Sequence, residues 1–155
     1  SLPAVHILLL GGAKHEIPDY TEYAREKQVE SRVHIVGHVP AEIVPEYAKA
    51  CDMLAYVPVD KTEFFEHETS PMKLFEYMAA ERPILCADMP ALRAVLDDGE
   101  AYFIKPGSVK EFVRAVQDVQ HGAGHNKVAA AFKKVQANTW KHRATHIAEA
   151  LGGVL

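Results

Sequence analysis

The sequence predicts an α/β protein built on a doubly wound, Rossmann-like parallel sheet. Short apolar runs of about five residues alternate with longer segments of helical period. The first and longest of these runs is apolar nearly throughout rather than alternating, as a strand buried on both faces of a parallel sheet requires.

With 155 residues the chain can form one domain with a real core. A net charge of -4 with interspersed signs offers no basic field, which argues against a nucleic-acid partner. The run from Val5 to Leu10, broken by His6, is far too short for a membrane span, and no signal-peptide pattern precedes it. Cys51 and Cys86 sit in apolar contexts without metal-ligand spacing and read as two buried thiols of a cytosolic protein.

In chain order, Val5–Leu10 reads as a strand stopped by Gly11-Gly12, and Ile17 to about Val29 as a polar helix. Arg32–Val36 is the next strand, ended by Gly37. Pro40–Ala50 is an amphipathic helix whose start Pro45 can shift, and Asp52–Val59 a third strand. The polar stretch Asp60–Thr69 is long enough to be a functional loop. A helix then runs to about Arg82, with Ser70 as N-cap, Pro71 at its first position, and Met72, Phe75 and Ala79 on one stripe beside Leu74 and Met78. Pro83–Ala87 is a fourth strand, Ala91–Leu96 a short helix, and Tyr102–Ile104 a fifth strand. Ser108 and Glu111 form a capping box for a helix reaching Gln120, which His121–Gly124 breaks. A last helix or helix pair spans Asn126–Leu151, with Phe132, Val135, Trp140, Ile147 and Leu151 as packing residues.

In such a sheet the ligand crevice lies beyond the carboxyl ends of the strands, where Gly11-Gly12, His38–Pro40, the 60–70 loop and Asp88–Pro90 fall. Lys73 sits in the first turn of its helix, where the macrodipole disfavours a cation unless an anion is also present. The N–H groups of Met72, Lys73 and Leu74 would meet a phosphate there. Glu76, about 9 Å along the helix from Ser70, suits the hydroxyls of a ribose, and Glu68 those of a sugar beyond a diphosphate. A capped helix with a solvated Lys73–Glu76 pair is the plainer reading of the same residues. His142 with His146, and His121 with His125, have the i, i+4 spacing of zinc ligands, but without an HExxH pattern they read as surface histidines. Gly11-Gly12 matches neither GxGxxG nor a P-loop.

The stretch Glu68-Thr69-Ser70-Pro71-Met72-Lys73-Leu74-Phe75-Glu76-Tyr77-Met78-Ala79-Ala80, followed by Arg82-Pro83-Ile84-Leu85 and Asp88-Met89-Pro90-Ala91-Leu92-Arg93-Ala94-Val95-Leu96, resembles the C-terminal domain of GT-B-fold glycosyltransferases of the group 1 (GT4) type. Their E-x7-E element matches Glu68 and Glu76. Leu8–Gly12, Val33–Pro40, Tyr47–Asp52 and Trp140 extend the likeness over essentially the whole chain.

The resemblance implies that Glu68, the catalytic candidate, and Thr69 contact the donor sugar. Ser70, Met72 and Lys73 would hold the diphosphate, Glu76 the ribose, and Val39 and Val44 would lie along the base. It implies a nucleoside-diphosphate sugar as substrate, no cofactor and no bound metal, with retention of anomeric configuration. Residues 1–155 are then a single nucleotide-sugar-binding domain, cytoplasmic or peripheral to a membrane through the half that is missing. Two departures stand out. Glu81 occupies a position where the family has Gly. The family's first strand, its basic phosphate loop and the whole N-terminal acceptor-binding domain are not represented. The chain is therefore expected to be a piece of a two-domain enzyme, unable to transfer sugar alone. A nucleotide-sugar epimerase of the same fold and a non-catalytic nucleotide-binding or interaction module are the alternatives.

Overall fold

A computed structural model describes residues 2, 4–58 and 71–152. The expected loop and its three candidates Glu68, Thr69 and Ser70 lie outside the described residues. Two compact units are present, Ser1–Tyr47 and Ala48–Leu155.

In the first unit, β1 (Ile7–Leu10) pairs in parallel with β2 (Val33–Gly37), and α1 (Ile17–Glu26) packs against β2. Gly37 ends β2 at φ 75°, a conformation that favours glycine, and a Cβ there would stand 3.1 Å from Ile17 Cδ1, so the Ile17 side chain would have to give way to a larger residue. β1 was expected to be buried on both faces, yet Ile7 and Leu9 are 45% and 37% exposed. β1 has one strand neighbour, β2, among the described residues. His6 and His34 stack across the pair at 5.2 Å between ring centroids. The expected helix from Pro40 is a 3₁₀ turn, Ala41–Ile43, followed by α2 (Val44–Ala50), which puts Pro45 in the first turn, where its missing N–H is harmless. The boundary between the units falls within α2.

The second unit holds a three-stranded parallel sheet in the order β3 (Leu54–Tyr56), β4 (Ile84–Ala87), β5 (Tyr102–Ile104). β4 is central and every residue of it is buried. Ile84 and Cys86 pack with Leu74 and Met78 of α3 (Met72–Ala79), Leu92 of α4 (Pro90–Arg93) and Ala131 of α6 (His125–Gln136). Leu85 instead joins Ile104, Met53 and Ala115 of α5 (Val109–Gln120). Ile84, Cys86 and Ala87 thus enter one cluster and Leu85 another, so β4 is covered on both faces, as the parallel sheet the sequence predicts requires. α5 has the boundaries read from its cap. Ser108 Oγ accepts from Glu111 N–H at 3.3 Å, but the Glu111 carboxylate reaches back to the N–H of Lys105, at 2.7 Å, rather than to that of Ser108. Gly124 (φ 102°) admits the turn into α6, because a Cβ there would stand 2.8 Å from the Tyr102 hydroxyl oxygen.

The last helix, α7 (Trp140–Gly152), departs from expectation. Trp140, Ile147 and Leu151 were read as packing residues, yet they are 71%, 52% and 57% exposed. Helical spacing creates an apolar stripe but does not supply a partner for it. Among the two thiols, Cys86 is buried, and burial pushes it up to about 12, whereas Cys51 is only half-buried.

Candidate functional site

α3 carries the candidates that fall within the described residues. It begins at Met72, one residue later than expected, because Pro71 takes a non-helical ψ of 64° and occupies the cap position without a side-chain bond. The Leu74 N–H, expected to face a phosphate, turns back to the Pro71 carbonyl at 2.9 Å. Met72 and Lys73 supply the remaining first-turn N–H groups, which a helix cannot satisfy within its own ladder. Leu74 and Met78, 0% and 1% exposed, hold the helix to β4, while Ala79 of the expected stripe is exposed. This burial turns Lys73 and Glu76 outward to solvent. Among the described residues they form no direct ion pair with each other, and both are solvated, as the plainer reading of this helix also has them.

Tyr77 closes α3 against the sheet. Its hydroxyl lies 3.5 Å from the Ala55 carbonyl, and burial, with Glu76 adding to it, pushes the phenol up to about 12. Beyond Ala80 the chain turns at Glu81 with φ 56°, the left-handed conformation expected where the resembled family has glycine. Val39 follows β2 and Val44 opens α2, both half-buried. They belong to the first unit, Lys73 and Glu76 to the second.

Asp88, at the carboxyl end of β4, is engaged within the fold. Arg93 Nε and Nη2 donate to its two oxygens at 2.7 and 3.2 Å, and Arg93 Nη1 lies 2.9 Å from Asp98 Oδ2. The guanidinium stacks on Phe103 at 3.6 Å from the ring centroid. The Arg93 hydrogen bond holds the Asp88 carboxyl below the usual aspartate range. Nothing in the periodicity marked Arg93 as the organiser of this edge; an arginine five residues after an aspartate was the available signal.

The histidine pairs do not share a fate. His121 is the C-cap of α5 and His125 opens α6, so their spacing spans a turn and gives no common helix face. His142 and His146 do share α7, beside a cleft lined also by Met72 and Phe75. No group of three potential metal ligands occurs among the described residues.

Residues 1–121 match the sequence model of the family described as glycosyl transferases group 1. The chain belongs to that family. No curated protein matches this group 1 glycosyltransferase chain by sequence. Among solved structures it is similar to HepE of Anabaena in complex with UDP, at 18% identity and TM-score 0.77, over 97% of this chain and 42% of that one. Sucrose-phosphate synthase of Thermosynechococcus elongatus superposes with TM-score 0.83 at 17% identity, over 99% of this chain and 39% of that one. The C-terminal domain of LpcC, a group 1 family protein of Francisella tularensis, gives TM-score 0.62 at 12% identity, over 81% of this chain and 64% of that one. At such identities the likeness is one of fold. The chain spans about two fifths of the length of HepE and of the synthase.

Proposed function

We propose that this chain is the donor-binding part of a glycosyltransferase that moves a hexosyl-type group from a nucleoside-diphosphate sugar to a glycan, lipid or small acceptor. Family membership over residues 1–121 is the observation that carries this reading. The α3 arrangement supports it: a helix N-terminus, an exposed Lys73 beside it, and an exposed Glu76 one turn on. In this reading Ser70, Met72 and Lys73 take the diphosphate, Glu76 the ribose hydroxyls, and Glu68 and Thr69 the donor sugar, with Glu68 at the reacting centre. Val39 and Val44 lie along the base. UDP is the first nucleotide to test, because HepE carries UDP or UDP-glucose in its complexes.

A positive end of a helix and a lysine stabilise charge developing on a departing diphosphate, so the proposed reaction proceeds without a bound metal. Retention of anomeric configuration, a cytoplasmic location, and acceptor recognition by sequence outside these 155 residues belong to the same proposal. The isolated chain is expected to bind donor without transferring sugar.

Calorimetric titration of the protein with UDP, UDP-glucose and other nucleoside diphosphates tests it. Glu76→Ala is expected to weaken the favoured nucleotide about tenfold or more, the loss of a charge-assisted hydrogen bond. If no nucleotide binds, or if Glu76→Ala and Lys73→Ala both leave binding unchanged, the assignment fails.

A further inference from the structure

One arginine and two histidines fasten the start of β1 to the start of β2. Arg32 Nη1 donates to the carbonyls of Leu2 and Val5, at 2.8 and 3.4 Å, so the chain leading into β1 is held beside the residue that leads into β2. The strand register pairs Leu8 with His34, and His6 lies two residues before Leu8, so both imidazoles rise from the same face of the sheet. His6 Nδ1 and His34 Nε2 are 2.9 Å apart. The ring planes are 18° apart with 5.2 Å between centroids, which places those two nitrogens on the facing edges of the rings. A contact of this length between ring nitrogens needs one proton, donated by one and accepted by the other. With a proton on both, two N–H groups face each other and neither can accept.

The neighbouring charges do not offset a second proton. Arg32 is itself a cation. On α1, which packs against β2, Glu16 accepts from the Ala13 N–H, Glu22 pairs with Arg25, and Lys27, just beyond the helix, lies over the Tyr23 ring. Glu30, ahead of β2, also pairs with Arg25. Asp19 and Glu26 complete the acidic groups of α1, and among the described residues no carboxylate bonds to His6 or His34. Packing adds little here, since Ala24 is the one buried hydrophobic side chain of this unit among the described residues.

We propose that the His6–His34 pair is a proton-operated clasp, which holds β1 to β2 while at most one ring is an imidazolium and releases when both are. Histidine is the side chain that ordinarily changes charge in mild acid, so the clasp works over roughly pH 7 to 5. Opened, both rings can become imidazolium; closed, only one can. Opening therefore takes up a proton, and the β1–β2 pairing loses stability as pH falls. This inference does not rest on the donor assignment: nucleotide binding can fail while the clasp holds, and the reverse.

Native-state hydrogen exchange of the whole chain reads the clasp through the opening constants of the Leu8–Leu10 amides, corrected for intrinsic exchange rates. In the parent these constants should rise about tenfold from about pH 7 to about pH 5, reflecting the uptake of close to one proton on opening. His6→Gln and His34→Gln each remove one imidazole, and in either variant the constants should stay level to within about twofold over that range. His15→Gln removes a histidine of the same unit outside the pair and should keep the parent's rise. Circular dichroism at neutral pH verifies that each variant folds. A level profile in the parent, an equal rise in both His6→Gln and His34→Gln, or loss of the rise in His15→Gln would each overturn the proposal.

Discussion

Glu81 sits at φ 56°, a conformation that costs an L-residue about 1 kcal/mol and glycine nothing. Glu81→Gly is therefore expected to stabilise the protein by about 0.5–1 kcal/mol, the relief of strain being partly offset by the freer unfolded chain. A lower thermal midpoint for the variant would show that the Glu81 side chain contributes more than its backbone costs. Asp88 gives a prediction in pH. Its pairing with Arg93 lowers the folded pKa below the ordinary 3.8, so the pair adds stability at neutral pH. That stability is lost as pH falls below the ordinary value and through the lower folded one. Asp88→Asn should thus be less stable than the parent at neutral pH, by a modest amount because both side chains are partly exposed, at 47% and 31%. The two proteins should converge in acid, and a gap in urea midpoint that stays constant with pH would contradict the pairing argument.

At the scale of elements, α5 shows what local chemistry can specify. Ser108 caps it, Glu111 ties it to Lys105, and Gly122 and Gly124 follow its end, so both boundaries could be read before any packing was known. Ser108→Ala should cost about 1 kcal/mol in urea unfolding, and a neutral result would mean the bond at 3.3 Å contributes little. α3 shows the opposite case. Met72, Phe75 and Ala79 form one apolar row and Leu74 and Met78 another beside it, and periodicity alone does not say which faces the core. Contact with Ile84 and Cys86 of β4 settles the choice, and a one-row rotation moves every side chain about it. The same choice fixes where Lys73 and Glu76 point, which is why the motif was legible and its surroundings were not. The cleft at α7 was illegible for a related reason. Trp140, Ile147 and Leu151 have the period of a core stripe, and only tertiary structure shows that stripe uncovered.

Across the whole chain, burial is distributed very unevenly. Among the described residues the fully buried hydrophobics of the first unit reduce to Ala24, while the second unit has the two clusters around β4. The parallel pairing of β1 with β2 was legible as apolar runs ended by glycine, but burial was not, since it depends on what else covers the strands. Apolar area removed from water contributes about 25 cal/mol per Å2, so a unit that leaves Ile7, Leu9 and Val36 between 37% and 45% exposed recovers little of its ordering entropy. Local opening free energy should follow this difference. In native-state hydrogen exchange, the amides of Leu8–Leu10 should open at a small fraction of the global stability, and those of Leu85–Ala87 only at the full value. Limited proteolysis should accordingly cut within residues 1–47 while leaving the β3–β4–β5 sheet intact. Ile84→Val, at a position 1% exposed, should lower the second unit's opening energy by about 0.5–1.5 kcal/mol and leave exchange in β1 unchanged. Equal protection of β1 and β4, or loss of both together in that variant, would mean that the two units open as one.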